Sequence, residues 1–459
     1  MNIQLTDTTT LLNYTTSLIY RLLVKQKSIL YSLTTMLISV NCIAQNSILK
    51  VSYNTAIVSP ENSIPYTEPY IVVNPTDEKN MVIGSIKVKD TGWETVAHVS
   101  LDGGESWVEK RLPIPDSVVF TGDPYLAFNS KGVLYYTMLG SLQKGIGQLL
   151  FKSSDKGKSW SVGVWVSTNF KLFFDHSTIA IDNSKESPFY NNVYAASHVN
   201  YRGSNRELLL APFVSVSSDG GESFHQEGIF GPSLKNMNNG NAVVTSTGDI
   251  YFFYFVLMDD NGKWLEKHQL KVIHSEDGGK AFSNPVLISD EFTAYYPDAA
   301  INKSKRFKDR IYVTWTYTNE PDKGIYLSYK DADSKKWSDP VKVNDSLSVT
   351  PLISSIAIND KGIVGVSWFD NRNDPSTTCY DIYFSYSEDG GISFGKDYRI
   401  TDQSSCPTMR KSGEALSRWK RGGDFHGLTT AGSDFHIVWP DARNGLFLPY
   451  YAKISLRRE

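Results

Sequence analysis

Short apolar runs recur along the chain, most of them ending near Asn or Asp and followed by a turn and a second run rich in Tyr, Val and Trp. Runs this short, bounded by turn residues and dense in β-branched and aromatic side chains, predict strands rather than helices. The first run of each pair falls at residues 70–74, 125–129, 178–182, 241–245, 299–302, 355–359 and 427–431. Second runs include residues 133–136, 192–195, 250–253, 311–315, 363–368 and 435–439. The unit recurs seven times, at a spacing of roughly 50 to 75 residues, the mark of a repeat architecture in which each unit hides its apolar face against the next. The seventh unit ends after a third strand at residues 450–456. Residues 49–58 are therefore expected to supply its missing outer strand, closing a ring without exposed edges.

A second repeat lies between the strand pairs. The string Ser-Leu-Asp-Gly-Gly-Glu-Ser-Trp at residues 100–107 returns in variant form at 153–160, 217–224, 275–282 and 387–394, with a worn copy at 330–337 that lacks the glycines but keeps the closing Trp337. The Asp carboxylate can accept turn N–H groups, Gly permits positive φ, and the final Trp or Phe packs between repeats. The aspartates Asp102, Asp155, Asp219, Asp277 and Asp389 are thus expected to staple turns and to take no part in chemistry. These strings resemble the Asp boxes of bacterial sialidases and related propellers. The resemblance implies an all-β fold, a single β-propeller of four-stranded antiparallel blades. The repeat count favours seven blades over the six of sialidase catalytic domains.

Composition then narrows the partners. Charged residues make up 21% with a net charge of -3, and no basic run or acidic tail is present, which disfavours nucleic acid. Aromatic content of 13%, with 26 tyrosines, suits short strands and equally suits sugar-stacking surfaces. Lys25 and Lys27 precede an apolar stretch at 29–40 and then Cys42-Ile43-Ala44, which reads as an export signal cleaved after Ala44. The mature chain is then one propeller domain over 45–459, exported, monomeric and without an integral membrane span; Cys42 fits a lipidation signal badly. Cys379 and Cys406 remain, and an oxidising compartment favours a disulfide between them over two buried thiols.

In a four-stranded blade the Asp-box turn shares a face with the turn between strands one and two. The opposite face collects loops entering first strands and leaving second strands, where such folds place their ligands. Counting six residues back from the aligned end of each first strand gives Glu68, Asp123, His176, Asn239, Tyr296, Ile353 and Phe425. Neighbours add Asp175, Asp298, Asp424 and His426, and second-strand exits add His198, Tyr254, Tyr317, Asp370, Arg372, Asp441 and Arg443. The strings Trp368-Phe369-Asp370-Asn371-Arg372 and Trp439-Pro440-Asp441-Ala442-Arg443 repeat one pattern, which suggests structural Asp and Arg pairs.

By resemblance to sialidases, Arg372, Arg421 and Arg443 would clamp a substrate carboxylate, Tyr296 or Tyr317 would be the nucleophile with Glu68 as its partner, and Asp123 the acid. His176 and Asp298 complete the catalytic set, while His198, Asp370, Asp424 and His426 join Tyr317 and the arginines as substrate-binding candidates. The Arg-Ile-Pro string of many sialidases is absent; Arg111-Leu112-Pro113 is nearest and follows an Asp box, on the wrong strand. Three histidines at this mouth, His176, His198 and His426, also suit a polysaccharide lyase. A non-catalytic glycan- or protein-binding propeller is the remaining alternative. The partner expected in every case but protein binding is a glycan or glycoconjugate. No cofactor is required, though a ring of Asp and Glu would suit a structural calcium ion.

Overall fold

The structure is a computed structural model that describes residues 47–167, 172–202, 208–229, 237–258, 263–292, 296–319, 321–345, 351–375, 378–407 and 421–458. The expected export signal over 1–44, Cys42 included, lies outside the described residues. The chain divides into a terminal unit, residues 1–49 with 456–459, and a main unit over 50–455. In the terminal unit the described residues belong to strands; the main unit is built almost wholly of antiparallel sheets.

The sheets follow the chain in order. Strands Tyr66–Asn74, Asp77–Lys89, Gly92–Ser100 and Val108–Arg111 form one four-stranded meander. Two further meanders, Phe120–Phe128 to Val164–Trp165 and Phe173–Ile181 to His225–Ile229, join into an eight-stranded sheet through one parallel contact, Phe173 with Ile146. Separate four-stranded sheets then start at Met237–Val244, Asp298–Ile301 and Leu352–Ile358. The last sheet runs in the order Ser47–Val51, Leu448–Arg458, Asp434–Asp441, Gly427–Ala431, with Thr55–Ala56 also paired to Leu448–Arg458. First strands touch in cyclic sequence, each packing on the next, and Gly427–Ala431 packs on Tyr66–Asn74. These are the blades of a β-propeller.

Sequence explains the strands. Ile311–Tyr317 and Val364–Asp370 are buried at every position, because neighbouring sheets cover both of their faces. Apolar layers fill the space between consecutive sheets. In one of them Val82, Ala97 and Val99 meet Leu126, Tyr136 and Phe151; in another Ile71, Met81 and Ile83 meet Val438 and Tyr451. Burial of each Val, Leu, Ile, Phe or Met side chain there contributes about 1.5–3 kcal/mol.

The Asp boxes close their turns as the sequence predicts. Asp219 Oδ1 accepts from the N–H groups of Glu222 and Ser223, both at 3.0 Å, and from Ser217 Oγ at 2.7 Å, while Gly221 N–H donates to Ser217 Oγ at 2.7 Å. The closing aromatics fill the layers: Trp107 lies 5.6 Å from Tyr451 and Trp160 5.5 Å from Tyr136. The worn copy solves the turn differently, with Asp331 held by Arg310 Nε at 2.7 Å.

Cys379 and Cys406 are bonded, their Cα atoms 4.2 Å apart. The bond ties the loop after Val364–Asp370 to the segment leading into Gly427–Ala431, beside the backbone bridge of Tyr380 with Ser405. Among the described residues no helix is long and apolar enough to cross a membrane.

Candidate active site

Several first strands break register at equivalent points: between Thr67 and Tyr70, Gly122 and Tyr125, Asp175 and Thr178, and Leu352 and Ser354. Within the breaks Glu68, Asp123, His176 and Ile353 have φ of 52°, 49°, 51° and 52°. Left-handed backbone on residues other than glycine costs about 1–2 kcal/mol each, and such strain gathers at functional sites. These are the positions picked out by counting back from the strand ends. Each bulge takes its side chain out of the strand's regular alternation.

Three of these residues meet. The N–H of His176 donates to Asp123 Oδ2 at 2.9 Å and to Asp175 Oδ1 at 3.0 Å, so two carboxyls share one donor. Asp175 Oδ2 lies 3.3 Å from His198 Nε2. The His176 ring stacks on Tyr296 with centroids 3.5 Å apart and planes 10° from parallel, and Phe425 meets it edge-on at 5.8 Å. Glu68 is wrapped by the segment before Gly427–Ala431. Its N–H donates to Gly422 O at 2.8 Å, its carboxylate accepts from the N–H of Asp424, and a Cβ on Gly423 would fall 2.2 Å from Glu68 Cγ. Glu68 is 3% exposed and its Oε2 has no partner, whereas the side chain of Asp175 is 51% exposed and opens the cluster to solvent.

The carboxyls split in titration. Burial, then the charge of Asp175, pushes Asp123 up to about 8. Burial, then Asp123 and Asp424, holds Glu68 well above the usual carboxyl range. Burial would also raise Asp175, but the hydrogen bond and charge of His198 bring it down to about 2. Burial lowers His176 to about 3, leaving a neutral imidazole. Tyr296 is raised well above an ordinary phenol by burial and by Asp175, Asp424, Asp123 and Glu68. The arrangement is a carboxylic acid beside a carboxylate, a pairing suited to moving a proton.

The other candidates stand elsewhere. Asp298 is a staple between blades: it accepts from Ser355 Oγ at 2.7 Å, Ile356 N–H at 2.9 Å, Ala299 N–H at 2.9 Å, and Asn241 Nδ2. Arg372 is held by Asp370 at 2.6 Å and Asp397 at 2.8 Å and lies 3.9 Å above the Tyr383 ring. Arg443 repeats this with Asp441 at 2.8 Å, Asp402 at 2.6 Å and Tyr450 at 4.4 Å, and Trp368 and Trp439 donate to Asp370 and Asp441. The charge of Arg372 is matched by Asp370 and Asp397 and that of Arg443 by Asp441 and Asp402, the structural pairing that the repeated string suggests. His426 is buried against Ser367 Oγ at 2.7 Å and Phe369, apart from the other histidines. Tyr317 is a buried strand end, and the Arg421 carbonyl accepts from Tyr380 Oη at 3.2 Å. Neither Glu68 nor Asp123 meets a lysine or arginine at ion-pair distance among the described residues. No group of three or more His, Cys, Asp or Glu side chains spaced for a metal is found among them.

Sequence reasoning gave Asp175 only as a neighbour and missed Tyr70 and Tyr125, which stack at 4.3 Å beneath the cluster. A signal was present: Glu68-Pro69-Tyr70 and Asp123-Pro124-Tyr125 repeat an acid-Pro-Tyr string, and Tyr296-Pro297 keeps the proline. Proline lacks the N–H that a bulge would leave without a ladder partner.

A protein of unknown function from Dyadobacter fermentans is similar in structure at 14% identity and a TM-score of 0.46, over 70% of this chain and 94% of that one. A Hadza microbial sialidase is similar at 12% identity and a TM-score of 0.48, over 84% and 75%. Trypanosoma rangeli sialidase is similar at 11% and 0.46, over 76% of this chain and 56% of its own. No curated protein matches the sequence at a significant level. The family model described as BNR repeat-like domain matches residues 52–307, more than half of the sequence, and the chain belongs to that family.

Proposed function

We propose that this chain is an exported, seven-bladed propeller that hydrolyses a glycosidic bond in a neutral glycan, using the Asp123 and Asp175 pair as its proton donor. One observation carries the proposal: two carboxyls on one N–H, with Asp123 at about 8 and Asp175 at about 2. The protonated Asp123 gives its proton to the leaving-group oxygen as the C–O bond breaks. Water adds to the anomeric carbon and returns a proton to the pair, so the cycle balances. Hydrogen-bonded to each other as well as to one N–H, the carboxyls stand closer than the roughly 5 Å at which two carboxyls flank a sugar ring, so they act as one acid. Tyr296 and Phe425 supply aromatic surface beside it.

A sialoside needs a cationic clamp, and the charges acting most strongly on Glu68, Asp123 and Tyr296 are all carboxylates. That supports a neutral substrate over a sialoside or a uronate polysaccharide. The test offers purified protein neutral glycosides, a sialoside and uronate polysaccharides, following reducing ends and ultraviolet absorbance together. Reducing ends from a neutral glycan are expected, with Asp123→Asn losing roughly 10²–10⁴ of the rate while remaining folded. Released sialic acid would restore the sialidase reading, an ultraviolet-absorbing product would mean elimination, and silence across the panel would leave a glycan-binding propeller.

A further inference from the structure

The first strands enclose a cavity of about 1140 Å³ at their ends, away from the acidic cluster. The cluster sits at strand starts, whereas this cavity is lined by strand ends and the turns that follow them. Tyr70 and Tyr125 form its inner end. Its walls are aliphatic: Val72, Ala127, Ile181, Val244, Ile301 and Ile358 each come from a different first strand. Its volume slightly exceeds the roughly 300–1,000 Å³ of ordinary ligand pockets.

One arc of the wall is basic. Lys303, Lys305, Arg306 and Lys308 all come from the connection between Asp298–Ile301 and Ile311–Tyr317, and Lys361 lies on the next blade. Lys308 faces Glu186 at 3.5 Å and Arg306 donates to the Glu388 carbonyl at 2.7 Å. Lys303, Lys305 and Lys361 form no ion pair within 4 Å among the described residues. Of the acids on the wall, Asp309 is bonded to Ser246, Asp360 acts on Lys303 only through its charge, and Glu78 lies on a distant blade. Lys303 is exposed, and its ammonium is lowered from its usual range by the protein around the cavity, against the charge of Asp360. An apolar wall gains from displacing water and an ammonium without an anion gains from meeting one; a single ligand does both.

We infer that this cavity binds an amphiphilic organic anion, its apolar body along the aliphatic walls and its acid group on Lys303. The site is separate from the proposed hydrolytic cluster and stands without it. Titration calorimetry with dodecanoate, dodecanol as the uncharged control, and displacement of anilinonaphthalene sulfonate fluorescence test it on the whole chain. Dodecanoate should bind saturably and displace the dye, and dodecanol should bind at least ~10-fold more weakly. Lys303→Met should erase that preference, and Val244→Trp, or Ala127→Phe if the first does not fold, should abolish binding by filling the lumen. Asp123→Asn should bind like the wild type. Absence of saturable binding, equal affinity for acid and alcohol, or a Lys303→Met protein that keeps the preference would each overturn the inference.

Discussion

Glu68, Asp123 and His176 hold a backbone conformation that L-residues disfavour, and their side chains lie where burial opposes charge. For Asp123 the linkage has a definite sign. Its carboxyl binds a proton in the fold up to about 8, whereas an unfolded chain releases it near 3.9. Its contribution to stability is therefore full below pH ~4 and is lost as pH rises through that window to about 8. Asp123→Asn keeps a donor toward Asp175 and an acceptor for His176 N–H without titrating. Its melting temperature relative to wild type should climb between pH 5 and 8.5 and then level off; a constant difference would place the proton elsewhere. Gly423→Ala offers a second test, since its Cβ would collide with Glu68 Cγ and its φ of 135° is left-handed territory. It should cost most of the activity with a smaller loss of stability, read from rate and denaturation midpoint together. At this scale the sequence showed which strand positions bear Glu68, Asp123 and His176, because repeats align by counting. It could not show that Gly422 and Gly423 wrap Glu68, or that Asp175 rather than Asp298 completes the cluster. Asp175 and Asp298 look alike in the string, and only contacts across blades separate them.

Elements built from local contacts were the most legible. Each Asp box satisfies its turn within eight residues, so composition and spacing sufficed to predict both the staple and the inward aromatic. Asp102 and Asp155 are brought to about 2, Asp155 against burial that would raise it, by hydrogen bonds from Ser106 and Ser159. Carboxylates lowered in this way stabilise the fold above the unfolded value near 4, and that contribution fades as pH falls toward 2. Asp219→Ala removes the acceptor from two backbone N–H groups and should lower unfolding free energy by about 1–3 kcal/mol in urea titrations, without affecting glycan turnover. The Trp-x-Asp-x-Arg strings were equally legible, because Trp, Asp and Arg close on one another inside a single blade. The worn box was legible only as a gap: Arg310 reaches it from the turn before Ile311–Tyr317, which no local pattern reveals.

Across the whole molecule, long-range fasteners gather where the last blades meet the N-terminal segment. Asn54 accepts from Asp402 N–H at 2.8 Å and from Arg443 Nη2 at 3.1 Å, and donates to the Ile400 carbonyl at 3.1 Å. The disulfide joins residues 27 apart in the same region, and loop-closure entropy assigns it about 3–4 kcal/mol. Cys379→Ser with Cys406→Ser should lower the melting temperature accordingly, and reduction of the wild type should reproduce the shift. Thr55 and Ala56 take their partners from Tyr451 and Tyr450, near the other end of the sequence. A ribosome adding about 5–20 residues per second needs some tens of seconds to travel between those points. During that interval the blades already made stand with an open seam, and the waiting strand is free to pair with a neighbouring nascent chain instead of its own. Whether a ring closes on itself or interlocks with a sister is thus a race between synthesis and encounter, decided by expression rate as much as by the folded contacts.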